Sequence, residues 1–381
     1  MEFYEIDPTN SYKLFQDIGA DNMGAKIMSQ KTKIYTIYIK NINVGGANIL
    51  KQDALSIGAD VCVPMGTIIA KDKFVDIILI ATKKQLKILA KKELTQPFGL
   101  KTLAQNLKYF FNKKTFKTKI MGVININDDS FFKNSRVKGK NVFKAIDKMI
   151  KDGASIIDIG AVSSRPGSEP IPEKDELNKI KPICDFIKKN KIYKKVQFSI
   201  DSYTPCVVEY ALKSGVQIVN DITGLKNDEI AQLVAKYKAT VVIMHMDKTP
   251  KNMQNNPQYN NIIIDIDNFF KQRIQKAHSF GIKNIILDVG IGFGKKLEHN
   301  LTLLKNISHF RHFGYELLIG ASRKSMIDNV IKSDVEDRLS GTVAIHLDSI
   351  KKGVSIVRVH DVKEHYQAIK IQESIENSSS F

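Results

Sequence analysis

Three cysteines in 381 residues, Cys62, Cys184 and Cys206, stand far apart and form no C-x-x-C pair. This excludes a disulfide framework and a thiolate metal cluster, and predicts buried thiols. No apolar run approaches the length that spans a bilayer, and the acidic start Met1-Glu2-Phe3-Tyr4-Glu5 lacks a basic region followed by an apolar segment. A membrane span and a secretory signal are therefore not expected, and a cytoplasmic location is. No G-x-G-x-x-G turn follows the first strand of the main alternating pattern, and Gly290-Ile291-Gly292-Phe293-Gly294-Lys295 lacks the Gly-Lys-Ser/Thr ending of a phosphate loop. That run reads instead as a tight turn that brings backbone close to a ligand. Ser163, Ser164 and Ser325 have no evident histidine base, so no covalent nucleophile is expected.

Hydrophobic residues make up 43% and charged residues 26% of the chain, ordinary values for a globular protein. The net charge of +18 comes from scattered lysines, often paired as in Lys188-Lys189, Lys194-Lys195 and Lys351-Lys352. Such a field favours solubility and steering of an anionic substrate over a dedicated nucleic-acid surface, which would need clustered cations with aromatics on one face.

The chain has two rhythms. Residues 1–115 read as a small α+β unit of unknown role. Its strands are expected at Lys33–Ile39, Val61–Val63 and Phe74–Ala81, and its helices at Ala47–Ile57, Lys83–Lys92 and Leu100–Phe111. Residues 116–381 alternate strand and helix. Strands are expected at Ile120–Ile124, Ser155–Ile159, Val196–Ile200, Gln217–Val219, Thr240–Met244, Asn284–Leu287, Glu316–Ile319 and Ser355–Val357. Eight β/α units in about 260 residues match a (β/α)8 TIM barrel. An open doubly wound sheet is the alternative, weakened by the regular alternation and the missing glycine fingerprint.

In such a barrel the ligand meets the C-terminal ends of the strands. The polar residues there are Asn125; Asp158, followed by Arg165; Asp201; Asn220-Asp221; His245; Asp288; Arg323-Lys324-Ser325; and Arg358-Val359-His360-Asp361. Any one alone is explained as a cap or turn residue, but the set divides by charge. Asp201 and Asp288, with the Asn220 amide, suit the N–H donors of a flat heterocycle with a guanidine-like edge. Lys324 could donate to a ring carbonyl. Arg358 and His360 follow the eighth strand, and Lys324-Ser325 open the helix after the seventh, where barrels often bind phosphate. Arg165 could close over a distal phosphate. His245 between Met244 and Met246 reads as a satisfied near-core histidine.

These residues resemble the dihydropteroate synthases from about residue 119 to 373. The matching segments include Ile120-Met121-Gly122-Val123-Ile124-Asn125, Ser164-Arg165-Pro166-Gly167, Ser199-Ile200-Asp201-Ser202, Val219-Asn220-Asp221, Leu287-Asp288, Gly292-Phe293-Gly294-Lys295, Ser322-Arg323-Lys324-Ser325 and Arg358-Val359-His360-Asp361. The resemblance implies condensation of 6-hydroxymethyl-7,8-dihydropterin diphosphate with p-aminobenzoate in folate biosynthesis, with Mg²⁺ as cofactor, in a homodimer built on late helices. It implies that Asp201, Asn220, Asp288 and Lys324 hold the pterin. Asn125, as metal ligand, would hold the diphosphate together with Arg358 and His360. Ser164-Arg165 would lie in a mobile second loop, and Ser325 would meet the p-aminobenzoate carboxylate. The sequence departs from the family in its first loop, where Asn127 and Asp128 replace Thr-Pro, Lys133 an Asp and Asn134-Ser135 Gly-Gly. Val162, Ser164 and Val289 also replace a Glu, a Thr and a Pro. A methyltetrahydrofolate-dependent methyltransferase on the same barrel would share the pterin-reading Asp and Asn but would not need Arg165, Arg358 and His360. A catalytically degenerate paralogue would bind pterin without turnover.

Overall fold

A computed structural model of the chain describes residues 3–111, 114–126, 139–161, 171–247, 253 and 256–378. The chain divides into two compact units, residues 1–113 with 373–381, and residues 114–372.

The first unit opens with helices Ser11–Asp17 and Asn22–Met28, which hydrophobic periodicity does not reveal because they bury little. Strand β1 (Ile34–Asn43), helix Val44–Leu55, β2 (Asp60–Cys62), β3 (Phe74–Thr82) and helices Lys83–Lys92 and Leu100–Phe110 follow. The three strands form an antiparallel sheet in the order β1-β3-β2. Val75, Ile77, Leu79 and Ala81 alternate inward along β3 and pack with Leu50, Leu86, Leu89 and Leu100. A period of two thus buries one face of the strand. Gly45-Gly46 lie inside the first turn of the helix rather than before it, because the Asn43 side chain accepts the Gly45 N–H at 2.9 Å and caps the helix earlier.

The second unit is a closed barrel of eight parallel strands: β4 (Lys119–Asn125), β5 (Ile156–Gly160), β6 (Gln197–Asp201), β7 (Ile218–Asp221), β8 (Thr240–Met244), β9 (Ile285–Asp288), β10 (Glu316–Ile319) and β11 (Ile356–Val359). Hydrogen bonds run around the ring in the order β10-β11-β4-β5-β6-β7-β8-β9. Helices fill the connections, among them Glu173–Asn190, Pro205–Lys213, Asp228–Lys236, Ile262–Ser279, Leu297–Asn306 and Leu339–Lys351, and helix Val362–Asn377 follows the last strand. The last helix continues through Asn377.

The barrel interior explains where the site sits. Met121, Ile156, Ile218, Val242, Ile286, Leu318 and Ile356 form one buried apolar layer. Each such side chain contributes about 1.5–3 kcal/mol on burial. Moving two residues along a strand keeps the inward face, and on β5, β7, β9 and β11 the sequence turns polar there: Asp158, Asn220, Asp288 and Arg358. These residues belong to the strands themselves. Asp158 falls within its strand as expected, whereas Asn220, Asp288 and Arg358, expected just past their strands, extend them by one to two residues, because neighbouring strands pair their backbones up to Asp201↔Asn220, Met244↔Asp288 and Val359↔Gly122. Apolar side chains are not required at the mouth, where the interior must receive a ligand. The thiols differ from expectation too. Cys184 is buried, with its pKa pushed up to about 12 by desolvation, whereas Cys62 and Cys206 are exposed.

Candidate active site

Arg358 is the centre of the mouth. Its Nε donates to Asp158 Oδ2 at 2.7 Å and its second terminal nitrogen to Asp201 Oδ2 at 2.7 Å. The Asn220 amide donates to the same Asp158 oxygen at 3.1 Å. Strands β11, β5 and β6 thereby meet through one fork-shaped cation, a geometry that suits Arg, and β7 joins them through Asp158. Gly160 makes room for this. A Cβ on it would press on the Asp201 Cβ at 3.2 Å, and β4 and β6 flank it through Asn125↔Gly160 and Gly160↔Asp201.

Burial decides the charge states. Desolvation pushes the Asp201 pKa up to about 7, with Arg358 opposing and the Asp158 charge reinforcing the shift. Burial likewise raises Asp288, against the pull of a Gly290 N–H bonded at 2.8 Å and of Lys324, Lys295 and Arg358. Desolvation would lower Arg358, but the Asp158 and Asp201 carboxylates more than offset it and fix the guanidinium as a cation. Lys324 is brought down to about 8 by burial, opposed by Asp288 and Asp201. Its Nζ donates to the Ile291 carbonyl and lies 4.3 Å from the centre of the Phe293 ring.

The glycine run after β9 is the tight turn expected, with Gly290, Gly292 and Gly294 all at positive φ. Nothing larger than glycine fits at Gly290, where a Cβ would fall 2.0 Å from the His245 carbonyl oxygen. Lys295 holds the turn together, a role that sequence reading missed. This side chain is buried, and its Nζ reaches the carbonyls of Gly290 (2.9 Å), Phe293 (2.9 Å) and His245 (3.2 Å) and His245 Nδ1 (3.0 Å). Burial lowers its pKa to about 7, and burial with the adjacent Lys295 keeps His245 neutral. His245 is thus the satisfied core histidine that was expected.

The other residues assigned from the sequence are spread around this centre. Asn125 ends β4, half-buried. His360 is exposed in the loop after β11, with Nδ1 at 2.9 Å from Ser322 Oγ. Ser325 is exposed at the start of the short helix Ser325–Val330. The Arg323 fork grips both oxygens of Asp361 at 2.8 and 2.9 Å, which ties the loop after β10 to the loop after β11 and gives Arg323 a structural task. Arg358 keeps company with the acids of the ring-binding set rather than with His360, because it lies within its strand and faces Asp158 and Asp201. Ser164, Arg165, Val162 and the first loop with Asn127, Asp128 and Lys133 lie outside the described residues. Asp158, which counted only as a strand-end residue in the sequence, is the fully buried hub of the network.

The mouth of this closed parallel barrel thus holds buried acids, an amide and cations. The family model described as pterin binding enzyme matches residues 121–360. A bifunctional dihydropteroate synthase/dihydropteroate reductase of Helicobacter pylori is 40% identical over 98% of this chain and 98% of its own length. The chain belongs to the dihydropteroate synthases. A solved dihydropteroate synthase of Clostridium difficile, crystallised in the presence of pteroic acid, is 37% identical with a TM-score of 0.64, covering 69% of this chain and 98% of that one. A Yersinia pestis dihydropteroate synthase in a sulfonamide complex is 34% identical with a TM-score of 0.64, covering 69% of this chain and 95% of that one. The synthase barrel accounts for the covered part. The Helicobacter relative extends the likeness over the first unit as well.

Proposed function

We propose that the barrel mouth takes 6-hydroxymethyl-7,8-dihydropterin diphosphate and p-aminobenzoate and acts by orientation and electrostatics. The observation that carries this is the Asp158–Arg358–Asp201 arrangement with Asn220, in which acceptors and one cation share a buried pocket. In this reading Asp201, Asn220 and Asp288 hold the N–H edge of the pterin and Lys324 its carbonyl. The p-aminobenzoate nitrogen attacks the exocyclic methylene carbon. The bond from that carbon to the diphosphate oxygen breaks, the electron pair leaves with diphosphate, and the nitrogen gives up a proton. Arg358 and His360 stabilise the departing anion, Arg165 and Ser164 close over it, and Ser325 meets the p-aminobenzoate carboxylate. Asn125, an oxygen donor at the end of β4, fits Mg²⁺, which takes few protein ligands beside phosphate oxygens. Bound there, Mg²⁺ would supply charge to the leaving diphosphate. A homodimer and a cytoplasmic place of work belong to the same reading. Among the described residues no helix is long and apolar enough to cross a membrane.

The test is diphosphate release with and without p-aminobenzoate. Release that depends on the amine supports the reading, and its absence sinks it. Asp201→Asn should weaken pterin binding at least tenfold, about 1.4 kcal/mol. Arg358→Ala should impair the diphosphate substrate more than free pterin, and equal losses would remove Arg358 from the diphosphate. A monomer in sedimentation would end the dimer proposal.

The full-length match to the bifunctional Helicobacter relative favours a second activity, reduction of dihydropteroate. A reduced nicotinamide would pass a hydride to carbon 6 of the pterin while nitrogen 5 gains a proton, giving tetrahydropteroate. Incubating the full chain with dihydropteroate and a reduced nicotinamide tests this, and failure to form tetrahydropteroate refutes it without touching the synthase reading.

A further inference from the structure

Away from the mouth, three side chains with metal-binding atoms converge on the outside of the barrel. Asp267 lies in helix Ile262–Ser279 and is buried. His309 and His312 lie on the 3-10 turn Ile307–Phe313. That turn has three residues per repeat, so positions three apart share a face. Both rings point at one atom: His309 Nε2 is 3.0 Å and His312 Nε2 2.5 Å from Asp267 Oδ1. The three ligand atoms lie within 4.8 Å of one another.

Their surroundings fix them in this arrangement. Lys271 holds the other Asp267 oxygen at 2.6 Å and so turns Oδ1 toward the histidines, the kind of outer contact that orients metal ligands. Phe310 and Phe313 alternate with the histidines on the turn, and Phe270 meets both edge-on at 5.6 and 6.0 Å. The cluster is closed on one side and open on the other: the Asp267 side chain is 9% exposed, His312 20% and His309 40%.

We propose that Asp267, His309 and His312 form a binding site for a zinc-class divalent cation, with water in the fourth position. Two imidazole nitrogens and one carboxylate oxygen are a zinc donor set, and Mg²⁺ or Ca²⁺ would require oxygens throughout. Tetrahedral bonds of about 2.0–2.1 Å place ligand atoms roughly 3.3 Å apart. His309 Nε2, at 3.0 Å from Oδ1, and His312 Nε2, at 2.5 Å, both reach this spacing by shifting outward on their exposed sides. The site is remote from the pterin chemistry: His312 lies just ahead of the N-terminal end of β10, whereas the mouth is at the C-terminal ends of the strands. The cation therefore clamps helix Ile262–Ser279 to the segment that enters β10 and is distinct from the Mg²⁺ of the reaction.

The experiment uses the tag-free full chain, stripped with a chelator and titrated with Zn²⁺ against a chromogenic chelator of micromolar affinity. One equivalent should be competed away by the native chain. His309→Gln with His312→Gln should weaken that affinity at least tenfold while diphosphate release by the synthase stays unchanged. Co²⁺ added to the native chain gives a readout that needs no variant, because four-coordinate Co²⁺ absorbs visible light far more strongly than hydrated Co²⁺. Equal Zn²⁺ affinity in native and double-variant chains overturns the proposal, as does a Co²⁺ spectrum no stronger than that of the hydrated ion.

Discussion

Replacing Asp158 by Asn probes the charge arrangement at the mouth with almost no change of volume. Asp158 is fully buried and shares Arg358 with Asp201, each through a 2.7 Å contact. Two carboxylates on Nε and a terminal nitrogen of one guanidinium are on the order of 5 Å apart, so at an effective dielectric of about 20 their repulsion is roughly 3 kcal/mol. That is about two pKa units as an upper bound. Asp201 stands at about 7 in the native chain, raised first by burial and further by Asp158. Asp158→Asn removes the repulsion and leaves the Arg358 charge undivided, so the Asp201 midpoint should fall by at least one unit. In the proposed role Asp201 accepts ring N–H groups as a carboxylate, so affinity for the pterin diphosphate should decline as the native chain is taken below pH 7. The assay is calorimetric titration with that substrate alone, without p-aminobenzoate, at pH 8 and pH 6. The native chain should lose about tenfold between these values and the variant less than about threefold, while changes in the ligand's own protonation cancel in the comparison. Identical pH dependence in the two proteins would refute the argument that Asp158 sets the charge of Asp201.

Lys295→Met should lower the melting temperature and raise KM for the pterin substrate more than it lowers kcat, because three carbonyls and His245 lose their shared donor beside Asp288; unchanged values of both would contradict the bracing role. Gly290→Ala should destabilise the barrel by more than about 2 kcal/mol in denaturant unfolding, since the new methyl would meet the His245 carbonyl at 2.0 Å in a positive-φ backbone, and a neutral substitution would show the turn to be looser than described. In the first unit, Glu93 is buried and its pKa is pushed up to about 7 by desolvation, with Asp53 adding to the shift. The folded state therefore keeps a proton that the unfolded chain releases, and its stability is full below about pH 4.5 and is lost as the pH rises through 7. Glu93→Gln should recover on the order of 2 kcal/mol at pH 8 and almost nothing at pH 4.5, read by thermal unfolding at both values. Equal shifts at the two pH values would count against a protonated Glu93.

The sequence revealed the barrel because its evidence is local. Thr240–Met244 and Glu316–Ile319 were legible to the residue, and the other barrel strands differ at their ends by a residue or two. At the C-terminal ends the shift has one cause: an apolar run ends where a polar residue begins, but a barrel strand continues through Asp201, Asn220 and Asp288 because its neighbours supply the backbone partners. Asp201 and Asn220 could be proposed as neighbours from the order of strands alone. What could not be read was the pairing. Arg358 reaches across β4 to Asp158, 200 positions away in sequence. Lys295 is only the last residue of a glycine turn in the sequence, and its burial depends on three carbonyls that come together only once that turn has folded. Helices Ser11–Asp17 and Asn22–Met28 were illegible for the opposite reason, since they bury too little to leave a periodic pattern.

The same pairing changes how the cations at the mouth must be understood. Taken singly, Arg358 and Lys324 look like groups waiting for an anion, and the positive net charge encourages that view. In the folded chain each already has an internal acceptor, Arg358 the two acids and Lys324 the Ile291 carbonyl. A buried cation without such acceptors would be costly, and so would Asp158 and Asp201 without the cation. The arrangement lets three carboxylates, Asp158, Asp201 and Asp288, occupy one pocket. Asp201 and Asp288 can then exchange internal bonds for bonds to a ligand carrying several N–H donors. A pterin supplies such donors in one rigid plane, and by taking over Asp201 it would relieve the guanidinium of one partner at the place where a diphosphate tail would need it. In the proposed reading, recognition of the ring and grip on the leaving group would be linked through a single side chain, and Arg358 lies within β11, held by its backbone, and not in the loop beyond it.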